Sequence, residues 1–338
     1  MLKTPAQRTV LMFALLAALL LVAFVSLHLG DVTLPFSRVA RMAAGALAGN
    51  PEHSPAATIV FRLRLPRIIL GIAVGGGLAV AGLLFQGLFR NPLVEPYTLG
   101  VSGGAALGVS LGFLAGARLP RFSLPFLGFA GAWLAVSLAY AIARRRKFLK
   151  IPYLLLVGVM ISFISSSLIM LLLSVVSLSR FRAVIYWTMG SLQAADPSLL
   201  LLVVPVILLG TAASMTLAWT LNALQLGEEG ALHLGIRLER EKKWLFFLGS
   251  LLAGTAVAVA GVIGFVGLVV PHVMRLIFGN DHRVLIPASF LAGGAFLLLC
   301  DTAARTIVSP VELPVGVVTG IAGGGLFIYL LSRNHEGR

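Results

Sequence analysis

Apolar residues run for about 20 positions at a time along this chain, and charge, proline or both mark the breaks. The runs give candidate spans near 9–29, 66–88, 98–117, 124–143 and 152–177, then 197–220, 244–262, 266–279, 284–304 and 313–332. About 20 apolar residues in a helix cross the roughly 30 Å hydrocarbon core of a bilayer. The runs lack the two-residue alternation of a barrel strand, so the backbone must satisfy its hydrogen bonds inside lipid as helices. The pattern predicts an all-α integral membrane protein of about ten transmembrane helices. The eighth run is short and holds Pro271, His272 and Arg275, so a tilted or partly re-entrant segment is expected there. The first run is too long for a signal-peptide core and no small-x-small cleavage site follows, so it is expected to stay as a span.

Composition supports this class: 59% of the 338 residues are hydrophobic and 11% charged, with a mean hydropathy of +1.00. A net charge of +14 would suggest nucleic acid in a soluble protein, but here the basic residues fall mostly in the breaks. They read as topology signals. With both termini cytoplasmic, 16 of the 26 Lys and Arg residues lie inside, as the positive-inside rule favours. All five lysines fall on that side, while the outer side carries arginine alone: 38, 41, 62, 64, 67, 118, 121, 180, 182 and 305. A guanidinium fork fits carboxylates bidentately, so a partner presenting Asp or Glu from outside would explain the bias. Helix capping and snorkelling would explain it equally. The lone cysteine, Cys300, excludes an internal disulfide and reads as a packing residue.

Several segments invite chemistry. In "FRLRLPRIILG" (61–71), Arg64 and Arg67 are three apart, and Pro66 suits a first helical turn, so both could project from one face. In "FRNPLVEPYTLGVSGGAALG" (89–108), Asn91-Pro92 and Glu95-Pro96 should leave a compact turn at the inner face. Its glycines lack GxGxxG spacing and read as close helix packing, as do Gly75 to Gly77 and Gly323 to Gly325. His272, Arg275, Asp301, Arg305 and Glu312 lie toward span ends, and no series of buried acids suggests a proton relay. His272, His282 and Asp281 lack metal spacing, so no metal site is expected. Ser162, Ser165, Ser166 and Ser167 suit either a polar path or helix packing. No lysine follows a glycine, so the phosphate-binding GxxxxGK[ST] cannot occur and this chain is not expected to hydrolyse ATP.

The polar segment at about 221–243, "ALQLGEEGALHLGIRLEREKK" at its centre, stands apart from the apolar chain. Gly227 and Gly235 bracket Glu228, Glu229, Ala231, Leu232 and Leu234, which predicts a helix of about two turns with acids at its start. Two turns are too short to stand alone, so something must hold the helix. A docked partner would do so; so would lipid headgroups, which Arg237, Arg240, Lys242 and Lys243 also suit.

From Arg62 to Leu331 the chain resembles the FecCD-type permeases of ABC importers for iron-siderophores, haem and vitamin B12. The resemblance rests on "RLPR" (64–67), "NPLVEPYTLGVSGGAALG" (91–108), "YWTMGSL" (186–192), "LGEEGALHLGI" (226–236), "GFVGLVVPHVMRL" (264–276), "DHRVLIPASFLAG" (281–293) and "ELPVGVVTGIAGGGLFIYLL" (312–331). It implies one permease domain over 1–338 in the bacterial inner membrane, with a family-like core over 62–331. It implies a homodimer, two cytoplasmic ATPase subunits that bind ATP and magnesium, and a periplasmic binding protein. By the same resemblance Gly227 to Gly235 form the coupling helix on the ATPase, Arg64, Arg67 and Arg305 meet glutamates of the binding protein, and Asn91, Pro92 and Leu93 form a cytoplasmic gate. A second gate loop falls at Ile151 and Pro152, where vitamin B12 permeases carry small hydroxyl residues. The competing expectation is an ion-coupled secondary transporter, which would show intramembrane carboxylates or broken helices.

Overall fold

The computed structural model describes residues 4–335 apart from 31, 49–51, 53, 116–121, 145–150 and 194–195. Arg118, Arg121 and the residues just ahead of Ile151 therefore lie outside the described residues. Helix α1 (Pro5–His28) is followed by the short α2 (Phe36–Leu47) and by α3 (Pro55–Thr58), which runs through a π-helical stretch (Ile59–Arg64) into α4 (Leu65–Phe89). Next come α5 (Val101–Ala115), α6 (Ser123–Arg144), α7 (Ile151–Val175), α8 (Leu178–Thr188) and α9 (Pro197–Thr216). The chain ends with α10 (Ala218–Leu224), α11 (Glu228–His233), α12 (Leu238–Ala260), α13 (Val266–Phe278), α14 (His282–Thr306) and α15 (Val315–His335).

All ten apolar runs are helical. Eight are long and apolar enough to cross a membrane. The other two, α5 and α13, have 15 and 13 residues, or about 22 and 20 Å of rise, short of the roughly 30 Å core. Each follows a non-helical stretch, 90–100 and 261–265, broken only by a 3-10 turn at Pro96–Leu99. The second span departs from expectation. Pro66 does not open its helix, because the helix is continuous from Pro55 to Phe89. The π-helical stretch lets the Leu65 N–H reach back to the Val60 carbonyl, an adjustment that accommodates an interior proline.

Helix α4 forms the centre of the bundle, buried nearly throughout and packed by α14, α12, α13 and α9. Small residues permit this: a Cβ on Gly75 would fall 2.3 Å from the Gly293 carbonyl oxygen of α14. Gly104 and Gly131 bring α5 and α6 together in the same way. Gly323 packs on Phe265, but Gly325 has nothing within 4 Å, so the packing role reaches only part of that triplet. The serines of α7 divide: Ser162 and Ser165 pack against Gly103, while Ser166 and Ser167 are exposed. The outer faces of α1, α7 and α15 are left uncovered, with Phe13, Phe163, Met170, Ile321 and Ile328 exposed.

Arg8 reaches Asp281 at the start of α14, and Arg305 donates to the Leu29 carbonyl beyond the end of α1, so these helices run parallel. Gln225, just before α11, donates to the Asn280 carbonyl. Thus α1 begins, and α15 returns, at the end of the bundle that carries α11. The opposite end carries Arg67, Arg305 and Glu312.

Candidate functional site

At the Arg67 end, three predicted arginines surround one cavity of about 380 Å³. Arg67 bridges two carboxylates from different elements, Asp301 at 2.9 Å and Glu312 at 2.9 Å. Its planar fork makes such a bridge possible. Arg305, one turn beyond Asp301, donates to it at 3.1 Å and also to Ser26 and the Leu29 carbonyl. Arg64 donates to the backbone carbonyls of Leu27, His28 and Val32, holding the link from α1 to α2. Gln193 completes the set by donating to Glu312 at 2.6 Å. Arg64 and Arg305 are only 6% and 5% exposed, so this chain's own groups already occupy these guanidiniums, as charges withdrawn from water require. Burial would raise the Glu312 carboxyl, but the Gln193 hydrogen bond and the charges of Arg67 and Arg305 outweigh it and hold the group below its ordinary value. Among the described residues, the arginines open to solvent here are Arg38, Arg41, Arg62, Arg180 and Arg182.

At the other end the polar segment forms α11, from Glu228 to His233, with Gly227 and Gly235 at φ of 96° and 77°. Both glycines sit where a side chain would strain the backbone. Ala231 is fully buried, and Glu228 pairs with the buried Lys242 of α12 at 2.7 Å. Glu229 remains on the partly exposed first turn. With one face so anchored, Leu226, Leu232 and Leu234 are left 70%, 56% and 47% exposed. Beside it, Arg90 ends α4 in the left-handed conformation. Asn91 then accepts a hydrogen bond from the Leu93 N–H at 2.9 Å, turning the exposed Asn91-Pro92-Leu93 loop.

That loop does not stay at the surface as a compact turn; it climbs into the bundle. Glu95 accepts a hydrogen bond from the Phe265 N–H at 2.6 Å. The Tyr97 hydroxyl donates to the Ile263 carbonyl at 2.8 Å and accepts from the Ile263 N–H at 3.0 Å. The two non-helical stretches thereby satisfy each other, as backbone at membrane depth must. The depth follows from Gly267, packed against Leu78 near the middle of α4 and Gly82 one turn further on. Helix α13 therefore starts mid-bundle rather than crossing it.

Gln86 explains a further irregularity. Pro271 has no N–H for the Gly267 carbonyl one turn earlier. The buried Gln86 amide donates to the Gly267 and Leu268 carbonyls, 3.2 Å each, and its oxygen accepts from Arg275. Sequence reading passed over Gln86, Glu95 and Tyr97 as site residues. Their signal was present: an amide inside an apolar run, a carboxylate between prolines, and an interior proline lacking a donor.

The sequence profile of the FecCD transport family matches residues 18–333. The Yersinia pestis hemin transport system permease HmuU is 38% identical over 327 residues, covering 96% of each chain. The Halobacterium salinarum cobalamin import system permease BtuC is 42% identical over 295 residues, 86% of this chain and 77% of that one. A molybdate import permease, MolB of Haemophilus influenzae, is 32% identical over 330 residues, 96% of each. Among solved structures, an inward-facing metal-chelate type ABC transporter superposes with a TM-score of 0.83 at 30% identity, over 96% of this chain and 99% of that one. With the profile spanning nearly the whole bundle, this chain belongs to the FecCD transport family.

Proposed function

We propose that this chain is the membrane subunit of an inner-membrane importer that moves an iron chelate (siderophore or haem) or cobalamin inward by alternating access. It works as a homodimer. Two ATPase subunits, which bind the ATP and magnesium, sit at the α11 end, and that end is cytoplasmic; this chain carries no cofactor. The observation that carries the reading is α11, a helix anchored by Ala231 and the Glu228–Lys242 pair, in and beside which Leu226, Leu232 and Leu234 stay about half or more exposed. Such a patch on a rigid support suits a groove on a partner and transmits its movement. Leu232→Glu with Leu234→Glu should abolish co-purification with the ATPase while leaving the fold intact. Retained co-purification sinks the assignment.

The periplasmic binding protein docks at the Arg67 end. Arg64, Arg67 and Arg305 belong to this docking region, but an incoming carboxylate must displace Glu312 or a backbone carbonyl to reach them. Arg38, Arg41 and Arg62 are exposed and meet it first. Asn91, Pro92 and Leu93 form the gate, and the uncovered faces of α7 and α15 meet the second copy. A disulfide trapped between single cysteines at Ser166 of the two copies tests the dimer; only monomer after oxidation argues against it.

A second reading has one observation in its favour: the carboxylate of Glu95 lies where two broken segments meet, as in ion-coupled carriers. It requires uptake that an uncoupler stops while ATP is held constant. Uptake insensitive to the uncoupler removes it.

A further inference from the structure

Between the Asn91-Pro92 loop and the ends of α4 and α13 lies an open pocket of about 360 Å³. Its walls include Arg90, Arg275, His282, Gln225 and Asn280, and no carboxylate lines it among the described residues. Neither guanidinium is neutralised. Among the described residues Arg90 makes no ion pair, and the Arg275 side chain makes one hydrogen bond, 3.3 Å to the Gln86 amide oxygen. The nearest acid, Asp281, is engaged with Asn222, Arg8 and the Arg283 N–H.

His282 lines the same wall. It is 2% exposed, and its Nε2 has no hydrogen-bond partner. Asn222 turns its NH2 toward Asp281, so its oxygen faces the ring, and Nδ1 lies 2.8 Å from that oxygen and 3.2 Å from the Gln225 side-chain nitrogen. Nε2, on the other edge of the ring, is buried. It lies against Gly87, with which it shares the cavity wall. Two unneutralised guanidiniums, with no carboxylate among the described lining residues, form a site short of negative charge.

We propose that this cavity binds a phosphate group, held between Arg90 and Arg275. A phosphate presents oxygens in several directions, which suits two guanidinium forks from separate elements. The group is either free phosphate or the headgroup of an anionic lipid, since basic pockets between helix ends bind such headgroups. Because Arg90 immediately precedes Asn91, a bridging phosphate pins that loop to α13. The binding itself does not depend on the transport reading.

The test uses the full chain in detergent, titrated with inorganic phosphate at constant ionic strength and followed by ³¹P line broadening, and in parallel nanodiscs of phosphatidylglycerol or phosphatidylcholine analysed by native mass spectrometry. Saturable phosphate binding, weakened about tenfold or more by Arg90→Gln and again by Arg275→Gln, supports a site open to the free ion. Retention of phosphatidylglycerol by the wild type and its loss in Arg90→Gln supports the lipid headgroup. Arg90 is exposed, so its variant should fold normally. The proposal is overturned if neither probe distinguishes the wild type from both variants, if chloride competes equally, or if only an ATPase side chain fills the cavity in the assembled complex.

Discussion

Replacing Asp301 by Asn isolates the contribution of the buried ionic cluster. The Asp301 carboxylate is completely buried and accepts three charge-assisted bonds, two from Arg67 at 2.9 and 3.0 Å and one from Arg305 at 3.1 Å. Asparagine keeps one acceptor oxygen and turns an NH2 toward one of the guanidiniums, donor against donor. Arg67 retains Glu312, and Arg305 retains Ser26 and the Leu29 carbonyl, so the cost should fall at the low end of that for breaking a buried pair, about 3 kcal/mol. That is roughly a hundredfold in the unfolding equilibrium. Equilibrium unfolding in mixed micelles, followed by tryptophan fluorescence, measures it. Removing Arg305 as well, by Arg305→Gln, should recover about 1 kcal/mol or more, because no unpaired charge then faces the amide. A cost below about 1 kcal/mol for Asp301→Asn, the value of an exposed pair, would leave the cluster with no structural weight.

Three further outcomes follow from the same geometry. Gln86→Leu should strip the donors from the Gly267 and Leu268 carbonyls and destabilise the protein by about 1–3 kcal/mol in thermal melts; an unchanged melt would mean the proline is compensated elsewhere. Glu312 has a lowered folded pKa, so its stabilisation is present above the unfolded glutamate value, about 4.3, and is lost as pH falls through the folded value. The wild-type melting temperature should therefore fall on acidification more steeply than that of Glu312→Gln, and parallel curves would contradict this. Charge reversal at Arg38, Arg41 and Arg62 together should weaken association with the cognate binding protein, most strongly at low salt, as read by surface plasmon resonance; salt-independent binding of unchanged strength would move the docking surface elsewhere.

The spans were legible because lipid imposes long apolar runs, and α11 was legible because two glycines bracket its acids. The half-length of α13 was only partly legible. Its shortness shows in the sequence, but the partners that satisfy 261–265, Glu95 and Tyr97, lie about 170 residues away and nothing local announces the pairing. Pro66 misled for a different reason. Proline at a helix start and proline after a π-helical stretch look alike in sequence, and only the packing of 55–65 decides between them. The arginines were correctly singled out as a cluster on one side, whereas their burial depends on Asp301 and Glu312, whose positions relative to Arg67 are set by tertiary packing. The Asp301–Arg305 spacing of one helical turn was a clue in the sequence alone.

The most direct test of the account reconstitutes the chain in proteoliposomes with its ATPase and its loaded binding protein and measures uptake of the chelate. Uptake is expected to need ATP and both partners, and to be abolished by Leu232→Glu with Leu234→Glu although the protein remains folded. Uptake driven by an ion gradient with the ATPase omitted, or ATP-driven uptake untouched by the double substitution, would contradict it.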